Sequence, residues 1–173
     1  MGENFEIVSL RECGITEDIP ENEPTLEGNA FVKARYIHSR TGLDCFADDT
    51  GLEVDALNGE PGVRSARYAT DGHDDEANKR LLLERMEGKD NRAAQFRTAL
   101  ALILGGEEYL FEGIVRGRIL HTQRGKGGFG YDPLFAPEED ERSFAEMSDE
   151  EKNAISHRGR AVRKLAEFLK EKR

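Results

Sequence analysis

Two adjacent carboxylates, Asp48 and Asp49, stand in the stretch FADDTGLEVD, directly after a short apolar run and before a Thr-Gly pair. Carboxylates side by side repel each other and lose hydration, so they require a cation, a set of donors, or exposure to water. Hard oxygen ligands at a strand end suit Mg²⁺, which takes one or two protein carboxylates and leaves its other positions to water and phosphate. An acid from the preceding loop, Glu21 or Glu27, could complete the set. Two exposed loop acids would read the same way, and Asp-Asp alone does not separate the cases.

A second chemical stretch runs from Arg124 to Pro137, RGKGGFGYDPLFAP. Its glycines permit close backbone approach and positive φ, so amides can face an anion or a base edge. Phe129, set among glycines, could lay its ring against a planar base. The run is no Walker loop, because its Gly-Lys lacks the following Ser or Thr at the required glycine spacing. A tight turn that buries Phe129 and Tyr131 is the structural alternative. A third stretch, EKNAISHRGRA from Glu151 to Ala161, gathers Lys152, Ser156, His157 and Arg158 within two turns of a predicted helix. Lys152 and Ser156 are four apart and share a face, and His157 and Arg158 can offer several donors to an acceptor-rich edge. Singly, each is also what a solvated helix face contains. Jointly, the stretches supply a metal site for phosphates, a platform for a base and donors for its edge, which are the needs of a nucleotide.

The elements that must position these groups are legible in outline. Asn4 to Leu10 alternates as a strand, and residues 13–24 read as a loop. A helix of about four turns follows Thr25, with Ala30, Phe31, Ala34 and Ile37 at helical spacing and Gly42 as its stop. LDCFA is a short strand that ends at the paired acids, and LNGEPGVRSARY is rich in turns. Asp74 to Glu87 is helical, and residues 92–104 and 109–120 form two strands joined at Gly105-Gly106 as a hairpin. Ser148 and Glu151 form a capping box that opens one long last helix, with Ala154, Ile155, Ala161, Val162, Leu165, Phe168 and Leu169 as its apolar stripe. The result is one α/β domain without repeats or linkers.

The whole chain, 173 residues with 25 Lys and Arg against 35 Asp and Glu, carries a formal net charge of −10. That balance disfavours nucleic acid and anionic membrane as partners, and a phosphorylated ligand then needs a local cation patch or a metal. With no apolar run near the roughly 18 residues of a spanning helix and no basic-then-apolar leader, the chain reads as cytoplasmic. Cys13 and Cys45 are far apart without metal-ligand spacing and read as buried thiols.

TLEGNAFVKARY, FADDTGLEVDALNGEPGVRSARY, GKGGFGYDPLF and EKNAISHRGRAVRKL resemble successive motifs of the Ham1/inosine triphosphatase family, pyrophosphatases of noncanonical purine nucleoside triphosphates. The likeness runs from about Asn4 to the C-terminus, in order. It implies an inosine triphosphatase-like domain spanning residues 1–173, a mixed sheet flanked by helices, a homodimer, and Mg²⁺-dependent hydrolysis of ITP, dITP and XTP to the monophosphate plus pyrophosphate. It also implies roles. Asp49 would be general base and metal ligand, with Glu21 as the second ligand and Glu27 its rival. Lys33 and Thr50 would meet the phosphates. Phe129, Gly130, Tyr131 and Asp132 would form the base platform and nucleoside contacts, and Lys152, His157 and Arg158 would contact the base. Donors there favour hypoxanthine and xanthine, which present a carbonyl where adenine presents an amino group. No residue is assigned to the rejection of guanine. The family's opening strand and its Ser/Thr-x-Asn-x-x-Lys turn have no counterpart, and Met1 to Asn4 resembles the connection after the first helix, so an incomplete N-terminus is expected. The rival readings are a truncated nucleotide-binding relative without catalysis and a Maf-type nucleotide pyrophosphatase.

Overall fold

The first helix shows how closely local chemistry sets the fold. In the computed structural model, which describes residues 7–15, 19 and 21–172, α1 (Leu26–Thr41) starts where Thr25 Oγ1 accepts the Gly28 amide at 3.0 Å. It stops where Gly42 turns left-handed at φ 70°, as the capping signals require. Four strands follow around it: β1 (Cys45–Val54), β2 (Ala93–Leu104), β3 (Glu107–Ile119) and the short β4 (Phe135–Pro137). They lie in that order in the sheet. The expected mixed sheet is antiparallel at every pairing among the described residues. The helices α2 (Asp75–Met86), α3 (Asp149–Ile155) and α4 (His157–Glu171) complete the α/β fold. None of the described helices is long and apolar enough to cross a membrane.

Strand alternation divides the core. Ala99, Ala101 and Ile103 of β2 pack on Leu26, Ala30 and Ala34 of α1. Leu100 and Leu102 leave by the other face onto Ala161, Leu165 and Leu169 of α4. Beyond the start of α4, Leu52, Phe96, Phe135 and Phe144 build a third cluster on that same face. The contact between β3 and α4 depends on a missing side chain: a methyl at Gly113 would collide with the carbonyl oxygen of His157 and the amide of Ala161. On the α1 face, Arg97 is 15 % exposed and ties three carboxylates from different elements, Glu27 at 3.3 Å, Glu53 at 3.2 Å and Glu112 at 3.1 Å.

Several expected boundaries move. Of the strand expected over Asn4 to Leu10, residues 4–6 lie outside the described set, and residues 7–9 carry no regular structure before a turn at 10–14. The strand read from LDCFA runs on through the acids to Val54. The long last helix is two helices broken at Ser156, and on its expected stripe Ala154 and Val162 are exposed. The cysteines are free but only half-buried. The hairpin at Gly105-Gly106 is found, both residues at positive φ and the Gly105 amide donating to Asp44 Oδ1 at 3.0 Å.

Gly113→Ala should therefore cost about 1–3 kcal/mol through overpacking, seen as a lower urea midpoint with an unchanged slope. Arg97→Met should destabilise by about 1–3 kcal/mol, because it leaves carboxylates facing one another without a cation; the same urea titration measures it.

Candidate active site

Alternation along β1 also separates the paired acids. Asp49 lies opposite Ala99, on the α1 face, while Asp48 and Thr50 lie on the α4 face opposite Leu100 and Thr98. A cleft of about 550 Å³ spans this end of the strand. Its wall includes Lys33 and Asp49 at one side and Thr50, Phe129, His157 and Arg158 at the other. Gly130, Tyr131, Asp132 and Lys152 complete it, so every expected site residue except Glu21 and Glu27 lines one cavity.

Glu21 reaches the site through a cation. Lys33 Nζ, on α1, stands 3.0 Å from Glu21 Oε1 and 3.8 Å from Asp49 Oδ1. Glu27 is committed elsewhere: Arg97 holds its carboxyl below the usual range by hydrogen bonding. The geometry thus favours Glu21 over its rival. Asp49 Oδ2 is buried without a partner among the described residues. Burial pushes the Asp49 carboxyl up to about 6, against the pull of Lys33 and with a smaller push from Glu21. Asn29, one turn before Lys33 and 1 % exposed, accepts the Glu23 amide at 2.9 Å and works against the rise of the Asp49 pKa. It fixes the loop that carries Glu21. A polar residue on the apolar stripe of α1 was its only signal in sequence.

On the α4 side, Phe129 is 69 % exposed, its ring free to receive a planar group. The glycine loop holding it is pinned from two directions. Asp132 Oδ2 accepts the Phe129 amide at 3.0 Å, and Asp75 Oδ2 accepts the Gly130 amide at 3.2 Å. Asp132 is 3 % exposed and also pairs with Lys152 Nζ at 2.5 Å. The same ammonium lies 4.5 Å from the centre of the Phe129 ring. Asp132 therefore positions the platform and its cation rather than presenting a free carboxylate. Tyr131 departs from the expected platform role: its ring is buried in the core and its hydroxyl donates to the Ser65 carbonyl at 2.7 Å.

His157 and Arg158, read together as donors, differ. His157 is buried, its ring stacked on Phe96 with centroids 4.8 Å apart. Burial, then the charges of Arg158 and Lys152, lower its pKa to about 3, so it is a neutral imidazole with a single N–H. Its Nδ1 is buried without a partner among the described residues. Arg158 is half-exposed and paired with Asp48 Oδ2 at 2.8 Å. Thr50 Oγ1 lies 2.9 Å from Thr98 Oγ1, a fully buried hydroxyl whose pairing with it has no local signal along the chain.

The donor set fits a hard divalent cation. Two carboxylates converge on one positive charge, and one of them keeps a buried oxygen unused. Among the described residues no group of three or more His, Cys, Asp or Glu could hold an ion. Two protein carboxylates are nevertheless what Mg²⁺ takes where water and substrate phosphates fill its other positions.

Comparisons with known proteins give the chain its family. The sequence profile of the Ham1 family matches residues 1–168. A Flavobacterium johnsoniae protein named dITP/XTP pyrophosphatase is 52% identical over 167 residues, which span 96% of this chain and 87% of that protein. A Bacillus subtilis protein of the same name is 44% identical, over 95% of this chain and 85% of its own length. Among solved structures, the Staphylococcus aureus Ham1 protein superposes with a TM-score of 0.93 at 37% identity, covering 98% of this chain and 89% of that one. With a profile spanning nearly all its length and relatives this similar, the chain belongs to the Ham1 family.

Proposed function

We propose that this protein hydrolyses noncanonical purine nucleoside triphosphates, dITP, ITP and XTP, to the monophosphate and pyrophosphate, and so removes them from the nucleotide pool. The observation that carries the reading is that one cleft joins the buried acid Asp49 to the exposed aromatic Phe129 and the cation Arg158. Family membership and the printed activity of the relatives support it.

Glu21 and Asp49 are the residues that would hold Mg²⁺, with its chemistry being charge neutralisation on the phosphates and orientation of water. Asp49 accepts the proton of the attacking water, and the bond broken joins the α- and β-phosphates. Lys33 stands beside it for the phosphate oxygens, and Thr50 borders the same cleft from the other face of β1. In a chain of net charge −10, Lys33, Lys152 and Arg158 offset three of the four aspartates that line the cleft, and a divalent cation would supply the positive charge that a triphosphate requires beyond them. Phe129 takes the purine face. The ammonium of Lys152 and the guanidinium of Arg158 can only donate, so they match the carbonyl of hypoxanthine or xanthine and leave the adenine amino group unpaired. His157, being neutral, contributes at most one further donor and chiefly a packed wall. The resemblance also supports a cytoplasmic homodimer, which sedimentation of the purified chain tests.

Asp49→Asn should lower the rate of pyrophosphate release from ITP by about 10²–10⁴-fold; unchanged turnover would remove the mechanism. Phe129→Ala should raise KM for ITP with a loss of about 1–3 kcal/mol in kcat/KM, measured by steady-state kinetics. For His157, an unfolded imidazole protonates near 6.5 while the folded one resists until about 3. The unfolded chain therefore binds more protons between those values, and stability falls as pH drops through that window. His157→Phe keeps the stacking but removes the titration, so its Tm should decline less than the parent's from pH 6.5 to 4.

A further inference from the structure

Lys33 occupies a place that two readings of the site claim at once. Its ammonium sits between Glu21 and Asp49, 3.0 Å from one carboxylate and 3.8 Å from the other. Those are the two acids assigned above to the divalent cation. Lys33 is also a cleft residue, assigned above to the phosphates. A divalent ion bridging the same oxygens would bring like charges into close contact with the ammonium, so both cannot hold the acids together.

We propose that Lys33 is a place-holding cation: it neutralises Glu21 and Asp49 in the ligand-free protein and is exchanged for the divalent metal, which releases its ammonium to the phosphates of the incoming nucleotide. This rests on the assignment of Glu21 and Asp49 as metal ligands. The surroundings favour an exchange rather than a permanent pair. The lysine stem is four flexible carbons anchored on α1, and its side chain is 18 % exposed and borders open cleft. The acids, in contrast, are held in place without it. Asp49 sits in the strand paired with β2, and Asn29 fixes the backbone at Glu23, two residues from Glu21, so the segments that carry the ligands stay when the ammonium leaves. Metal and triphosphate then reinforce each other's binding, because the ion releases a cation that the phosphates use.

The test is a titration of Mn²⁺ into the nucleotide-free protein, with free Mn²⁺ read by electron paramagnetic resonance. Lys33→Met and Lys33→Gln should bind Mn²⁺ about two- to fivefold more tightly than the parent chain, since each removes a competitor worth roughly what a part-exposed ion pair contributes. A lysine that only grips phosphate, or only supports the fold, would leave this affinity unchanged, and weaker binding would mean that Lys33 assists the metal. Either result overturns the proposal. The two variants guard against misfolding of one, with melting curves as the check. Asp49→Asn keeps the failures distinct: Mn²⁺ affinity insensitive to it, or no Mn²⁺ binding by any chain, overturns the ligand assignment and the exchange together. Binding lost in Asp49→Asn but unchanged in both Lys33 variants overturns the exchange alone.

Discussion

Successive side chains leave a strand by opposite faces, and on β1 this rule sends Asp49 toward α1 and Asp48 toward the start of α4. A cavity that uses both must therefore wrap around the strand. It can do so because β1 ends the sheet order and no further described strand pairs with it beside the acids. The other end of β1 is locked: Leu52 and Val54 are fully buried in the core, and Thr50 is tied to Thr98 across the pair with β2. One half of the strand thus anchors, and the other half carries charge into the cleft.

Three of the four acids that line the cleft are each balanced by a cation from a different helix, while the fourth, Asp75, holds the Gly130 amide. Asp49 faces Lys33 of α1, Asp132 faces Lys152 of α3, and Asp48 faces Arg158 of α4. These pairs are not equivalent. Asp132 and Lys152 are both well buried, and the pair also fixes the Phe129 loop, so separating it would leave a charge uncompensated in the interior. The Asp48–Arg158 pair is half-exposed, and ion pairs in such surroundings hold weakly. The cleft therefore combines one permanent pair that shapes it with others that can change partners.

The sequence disclosed most of this where local chemistry decides. Thr25 and Gly42 bound α1, Gly105-Gly106 makes the hairpin, and the Ser148–Glu151 box opens α3, each because a cap or a positive φ has few chemical solutions. It misled where tertiary partners decide. Asp is disfavoured in strands, so the sequence alone predicts a strand that ends at the paired acids. It continues because Lys33 and Arg158 compensate the acids. His157 reads as a donor by residue type, yet packing against Phe96 and Phe144 makes it neutral. The service of Asn29 to two segments at once, and the three-way hold of Arg97, depend on contacts between residues far apart in the chain.

The break at Ser156 separates two functions that a continuous helix would have fused. Its amide closes α3 by donating to the Lys152 carbonyl at 2.8 Å, and its hydroxyl opens α4 by accepting the Gly159 amide at 3.0 Å. Lys152 and Arg158 consequently ride on separate rods joined at one buried hinge, and the backbone angles of a single serine set the distance between them. The spacing of two cleft cations is in this sense a property of a residue that carries no charge.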